Sequence, residues 1–151
     1  MIQSKQVLKL TDLTADQLRD WTHRRALIEP DVKPAGPGTR ALYSWQTVLI
    51  LRLAVVLRDR FHIELQAHRE LFGALRRLLT GTSFPALEGC FLVLYDMQRC
   101  EIVPTSSAGW SRVSEDVVLL RLDPHLDVLS AHFDTQEPSL QLPLFRAVQV
   151  R

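Results

Sequence analysis

Three regimes of apolar patterning run along the chain. Before residue 30, apolar and polar positions are interleaved, as on segments that are half buried. Between residues 45 and 60, Val48, Leu49, Leu51, Leu53, Ala54, Val56 and Leu57 leave almost no polar face, which predicts a helix buried on several sides. The Phe61–His62 step breaks it. A second helix is expected over 63–79, with Leu71, Phe72, Leu75, Leu78 and Leu79 at spacings of three and four, and Arg69, Glu70, Arg76 and Arg77 outside. Gly81, between Thr80 and Thr82, suits a left-handed terminating position. Beyond Phe84–Pro85 the period changes. A continuous run over 90–95, then Glu101–Ile102–Val103, then a run over 117–122 read as three strands. Asp123 followed by Pro124 is a cap and first-turn signal, so a short helix is expected over 124–133. The tail, 134–151, sets Leu140, Leu142 and Leu144 among Pro138 and Pro143, and reads as an edge strand or as an arm ordered by a partner.

The sharpest local signals lie earlier. Thr14 with Gln17 three residues on is a capping box, in which each side chain serves the other residue's backbone amide. Leu13 before the cap and Leu18 at the fourth helical position make the matching hydrophobic staple. Two independent signals thus start a helix at one place. It is preceded by a short apolar-polar segment over 5–10 that ends at Thr11–Asp12, so the outline is helix, tight turn, capped helix. After Ala26–Leu27–Ile28–Glu29–Pro30, residues 33–40 are so dense in Pro and Gly that a hairpin-like loop is the natural reading. Ser44 then stands as the cap of the apolar helix.

The net charge of +1 says little about partners, but it is unevenly placed. Residues 1–81 hold thirteen Lys or Arg against eight Asp or Glu, whereas residues 82–151 hold five against nine. A basic first half joined to an acidic second half fits an anion-binding module with an appendage. No charged-then-apolar leader opens the sequence, and the longest apolar run is far too short to span a bilayer, so a cytoplasmic location without membrane contact is expected. Cys90 and Cys100 have no neighbouring His at metal-ligand spacing, and buried, free thiols are the favoured reading. No phosphate-cradling Gly loop, catalytic triad order or zinc-hydrolase motif occurs, so no enzyme, no cofactor and no metal are expected.

The order of these features resembles the DNA-binding domain of the MerR family of transcriptional regulators. The resemblance rests on Leu18–Arg19–Asp20–Trp21 in the second helix and on the exit Leu27–Ile28–Glu29–Pro30. Arg40–Ala41–Leu42–Tyr43–Ser44 at the end of the loop and the two helices that follow complete it. It covers about residues 4–79. Where the family commonly has Gly before the exit Leu, this chain has Ala26, and where an aromatic often follows the motif Arg it has Asp20. The family's long dimerising helix has no counterpart after Leu79, where strands are expected instead.

The expected fold class is therefore α+β: a MerR-type winged helix-turn-helix over 1–82, a small strand-rich dimerisation or effector domain over 83–133, and the tail. The resemblance implies a sequence-specific double-stranded DNA-binding regulator that works as a homodimer. Thr14, Gln17, Arg19 and Arg24 would meet DNA from the second helix, and Lys33, Arg40 and Tyr43 from the wing. Two readings of Arg40 and Tyr43 stand side by side, as phosphate anchors or as a pair bracing the wing. For Thr14 and Gln17 the cap alone is a sufficient role. The alternative is a protein-interaction module, an antitoxin or adaptor whose C-terminal region captures a partner protein. A small-molecule or metal sensor built on the strands is a third.

Overall fold

In the computed structural model, which describes residues 1–36, 38–106 and 114–133, the chain opens with β1 (Ile2–Gln3) and runs straight into α1 (Ser4–Thr11). The expectations for the tail lie outside the described residues. α1 stops at Asp12, whose φ of 57° turns the chain left-handed, a region that Asp enters more readily than most residues. α2 (Ala15–Arg19) begins after Thr14, and the helix continues over Asp20–Arg24 with a widened π-type turn. The capping box is present: Thr14 Oγ1 accepts from the Gln17 amide at 3.2 Å, and Gln17 Oε1 accepts from the Thr14 amide at 3.0 Å. Leu13 and Leu18, the two halves of the staple, are both buried.

Ala26 ends this helix with a φ of 47°. Unlike Asp12, it has no polar side chain that would favour the left-handed region. Replacing Ala26 with Gly is expected to stabilise the chain by about 0.5–1 kcal/mol, less than the full strain because Gly also frees the unfolded state. A rise in the urea midpoint at unchanged slope checks it.

The chain next doubles back on itself. Val32 and Leu42 exchange backbone hydrogen bonds of 3.2 and 3.1 Å, closing a hairpin around the 33–40 loop. β2 (Leu42–Tyr43) then pairs antiparallel with β1, Ile2 opposite Tyr43 and Gln3 opposite Leu42. Ser44 caps α3 (Trp45–Phe61) by accepting from the Thr47 amide. Leu49, Leu51, Leu53 and Leu57 of α3 are all buried, as a helix without a polar face requires.

Two expectations change here. The next helix, α4 (Arg69–Thr80), starts six residues later than the 63 expected, after a 3-10 turn at Leu65–His68. Half-buried Ile63 and buried Leu65 are two apart, and a helix cannot turn such a pair to one side. Gly81 is not left-handed, its φ being −90°. The end of α4 is instead served by two hydroxyls, Thr80 Oγ1 donating to the Arg76 carbonyl at 2.7 Å and Thr82 Oγ1 to that of Leu78 at 2.9 Å.

The acidic part forms an antiparallel sheet of β3 (Cys90–Leu94), β4 (Cys100–Pro104) and β5 (Val118–Arg121), with β3 central. Leu92 stands opposite Ile102 on one side and Leu120 on the other. α5 (Asp123–Ser130) follows. Asp123 does not cap it; its carboxylate accepts from the Gly89 amide at 2.7 Å and so fixes the left-handed turn before β3. The fold is thus mixed α and β. The period changes at the boundary placed at 82, but the buried residues form one connected cluster from Ile2 to Leu129.

Arg52 of α3 joins the parts. Its guanidinium donates to the Leu10 carbonyl at the end of α1 and, at 3.2 Å, to Nδ1 of His125 on α5. Burial, with Arg52 and Arg60 nearby, holds His125 down at about 4 against an ordinary value of 6.5. Because the unfolded chain takes up this proton first, the stability conferred by the neutral ring is complete above about pH 6.5. It is lost as the pH falls towards 4, with a slope of at most about 1.4 kcal/mol per pH unit. Urea midpoints between pH 7 and 4.5 should therefore fall, and less so in His125→Asn, which keeps an acceptor for Arg52 but no titrating group.

Candidate nucleic-acid interface

The residues singled out for anion contact divide into those still exposed and those already used by the fold. Thr14 is exposed at the start of α2 and Gln17 is half-buried. Their oxygens are taken by the cap, which leaves the Thr14 hydroxyl hydrogen and the Gln17 Nε2 amide as donors. One turn on, Arg19 lies 3.8 Å from Asp16, with 61% of its side chain exposed. Arg24 is exposed and has no ion-pair or hydrogen-bond partner among the described residues. Asp20, a carboxylate in the middle of these cations, is neutralised by Arg25 at 2.7 Å.

In the hairpin, Lys33 pairs with Glu29 at 2.9 Å and Arg40 donates to Gln3 Oε1 at 2.7 Å. Both side chains are exposed. Exposed pairs of this kind are worth only about 0–1 kcal/mol, so Arg19, Lys33 and Arg40 can exchange their partners for a phosphate at little cost. The loop tip is closed by Thr39, whose amide and hydroxyl both donate to the Gly36 carbonyl.

Tyr43 departs from this pattern. It is 1% exposed, packed in the core beneath β1, so the reading of Tyr43 as a phosphate contact gives way to the bracing role. The cause is register: opposite Ile2, it points to the same buried side as that residue.

The exit from α2 is held from below. Arg69 of α4 donates to the Arg25 carbonyl, and Arg76 of α4 to the Glu29 carbonyl. Arg76 also approaches Asp31 at 3.4 Å, while the other Asp31 oxygen accepts from the Ser44 amide at 2.7 Å. These two arginines, expected merely to face outward, brace the hairpin base across more than forty residues of chain, and no local pattern announces that. Lys5 and Lys9, four apart on α1, are further exposed cations that sequence reasoning passed over; their spacing alone places them on one helical face.

Trp21 is buried with Arg58 stacked 4.9 Å above its ring, and Trp45 meets Phe84 edge to face at 5.1 Å. Trp21 is thereby covered, whereas Trp45 stays half-buried. Cys90 stands opposite Pro104 and Cys100 opposite Leu94, at the two ends of the β3–β4 pairing. Four residues of strand, about 13 Å, separate their rows, so the thiols share neither a disulfide nor a metal. Burial pushes both thiols up, helped at Cys90 by Asp123 and opposed at Cys100 by Arg77. Among the described residues no cluster of His, Cys, Asp and Glu is arranged to hold a metal ion, and no helix is long and apolar enough to cross a membrane.

Comparison with protein-family models, curated proteins and solved structures gives no match to this chain. What the fold defines is a mixed α and β protein with one connected core.

Proposed function

We propose that the chain is a sequence-specific double-stranded DNA-binding regulator, with α2 as its recognition helix and the 32–42 hairpin as a wing of the MerR type. One observation carries the reading: α2 and the hairpin are mounted at opposite ends of a single helix. β1 pairs with the hairpin strand and leads directly into α1, and α2 starts four residues after the end of α1. Eight residues of α-helix span about 12 Å, close to the ~12 Å width of the major groove of B-DNA. A helix lying in the groove would thus leave the hairpin over a bordering phosphate strand, with Arg40 at its base.

The left-handed Ala26 supports the same reading, because it occupies the place where the family commonly has Gly. One such module meets few base pairs, so useful affinity needs two. A homodimer is proposed on that ground, joined through the strand-rich part, where β4 and β5 are both edge strands among the described residues. Selection of bound duplexes from a random pool tests the proposal. The expected result is an enriched motif of two inverted half-sites, spaced by about 10 base pairs or a multiple of that. Recovery of duplexes with no common motif would sink it.

A further inference from the structure

A cavity of about 530 Å3 opens between the end of α1, the second half of α3, β5 and the start of α5. That volume lies within the range of small-molecule sites. Its apolar wall is formed by Val55, Val56, Phe61 and Leu119. Phe61 is 45% and Leu119 38% exposed, so two large apolar side chains stand in water at this one opening.

The polar wall carries Arg52, Arg60, Arg121 and His125, faced by Asp12 and Asp59. Most of this charge is already matched. Asp59 is held by Arg58, Arg121 lies 3.8 Å from Asp123 and over the Phe91 ring, and Arg52 is anchored to Leu10 and His125 with Asp12 near it. Arg60 has no hydrogen bond or ion-pair partner among the described residues. His125 accepts at Nδ1, so its neutral ring carries the proton on Nε2 and offers a second donor.

We propose that this cavity binds an organic carboxylate with an apolar body, its charge on Arg60 and its hydrocarbon against Phe61 and Leu119. One unmatched cation among paired ones calls for a single negative charge, and a bare or doubly charged anion would leave the apolar wall in water. This site does not rest on the DNA-binding reading and is tested without nucleic acid, although β5 lines it and is also one of the two strands proposed for dimerisation.

Calorimetric titration of the full chain with octanoate and with 2-naphthoate, against octanol and inorganic phosphate as controls, tests the proposal. Saturable one-to-one binding of at least one carboxylate is expected, at least tenfold tighter than octanol and not displaced by phosphate. Arg60→Ala, at an exposed and unpartnered position, should weaken the carboxylate tenfold or more while leaving octanol binding and thermal stability unchanged. A second variant, Leu119→Glu, should abolish carboxylate binding by repulsion. In NMR, saturation with the carboxylate should raise the titration midpoint of the His125 ring. Equal affinity for octanoate and octanol, no effect of Arg60→Ala, displacement by phosphate, or no binding by either carboxylate would overturn the assignment. So would a dimer that Leu119→Glu dissociates, since a second copy would then cover the opening.

Discussion

Replacing Leu51 with Ala is expected to destabilise the entire chain by about 2–5 kcal/mol, in one transition. Leu51 is fully buried in the middle of α3, and α3 packs on α1, α4 and α5 at once. The helices packed on α3 have contacts of their own to keep, so they collapse only in part into the space left behind. Since domains of this size are commonly stable by about 5–15 kcal/mol, the loss is a large share of the total. The sharper content is cooperativity. The sequence changes period near 83, which invites the expectation that the strand-rich part unfolds separately; the connected core from Ile2 to Leu129 predicts that it does not. Methyl signals of Val7 in α1 and Leu92 in β3 should therefore vanish at the same urea concentration, in the parent chain and in the variant. Persistence of Leu92 after Val7 has gone would show that residues 83–133 hold together alone.

The contrast between local and distant information explains which features were readable in advance. Caps are made within three residues, so Thr14 with Gln17 and Ser44 with Thr47 could be read from spacing alone. The three strands were legible because β-branched and aromatic residues cluster in short runs, and each expected run overlaps an observed strand. Arg52, Arg69 and Arg76 were not legible as braces, because each finds a backbone carbonyl more than forty residues away. Left-handed positions misled in both directions. Gly81 is permissive but not required to turn, since two threonine hydroxyls end α4, whereas Ala26 is left-handed where the Leu27 and Ile28 amides both donate back to the Trp21 carbonyl. At the candidate interface Arg19, Arg24, Lys33 and Arg40 are exposed as expected, Lys5 and Lys9 went unnoticed, and the burial of Tyr43 is a matter of register. Its ring direction depends on pairing with Ile2, forty-one residues earlier, which hydropathy along the chain cannot supply.

The second large effect concerns the cations themselves. Reversing Arg19 and Arg24 together to Glu should weaken duplex binding by at least about a hundredfold and up to about ten-thousandfold, since each lost charge-assisted contact is worth about 1.5–3 kcal/mol when the partner is a phosphate. Neither side chain is buried, and Arg19 has only the weak 3.8 Å approach to Asp16, so the thermal midpoint should hardly move. Individual roles separate by salt dependence. Arg19→Ala and Arg40→Ala should each flatten the slope of log K against log salt by about one unit if the guanidinium neutralises a phosphate. Lys33→Ala should flatten it less, because Glu29 already balances that charge at 2.9 Å. Tyr43→Phe should leave both slope and affinity unchanged, as a buried ring touches no phosphate. At Thr14, Ala would remove the cap and cost about 0.5–2 kcal/mol of stability, so Thr14→Gly is the informative change, removing the hydroxyl donor at a cost of only about a few tenths of a kcal/mol. An Arg40→Ala chain that keeps its affinity and its full salt slope would assign Arg40 to Gln3 alone, making the hairpin a structural flap over β1 instead of a hand on the DNA backbone.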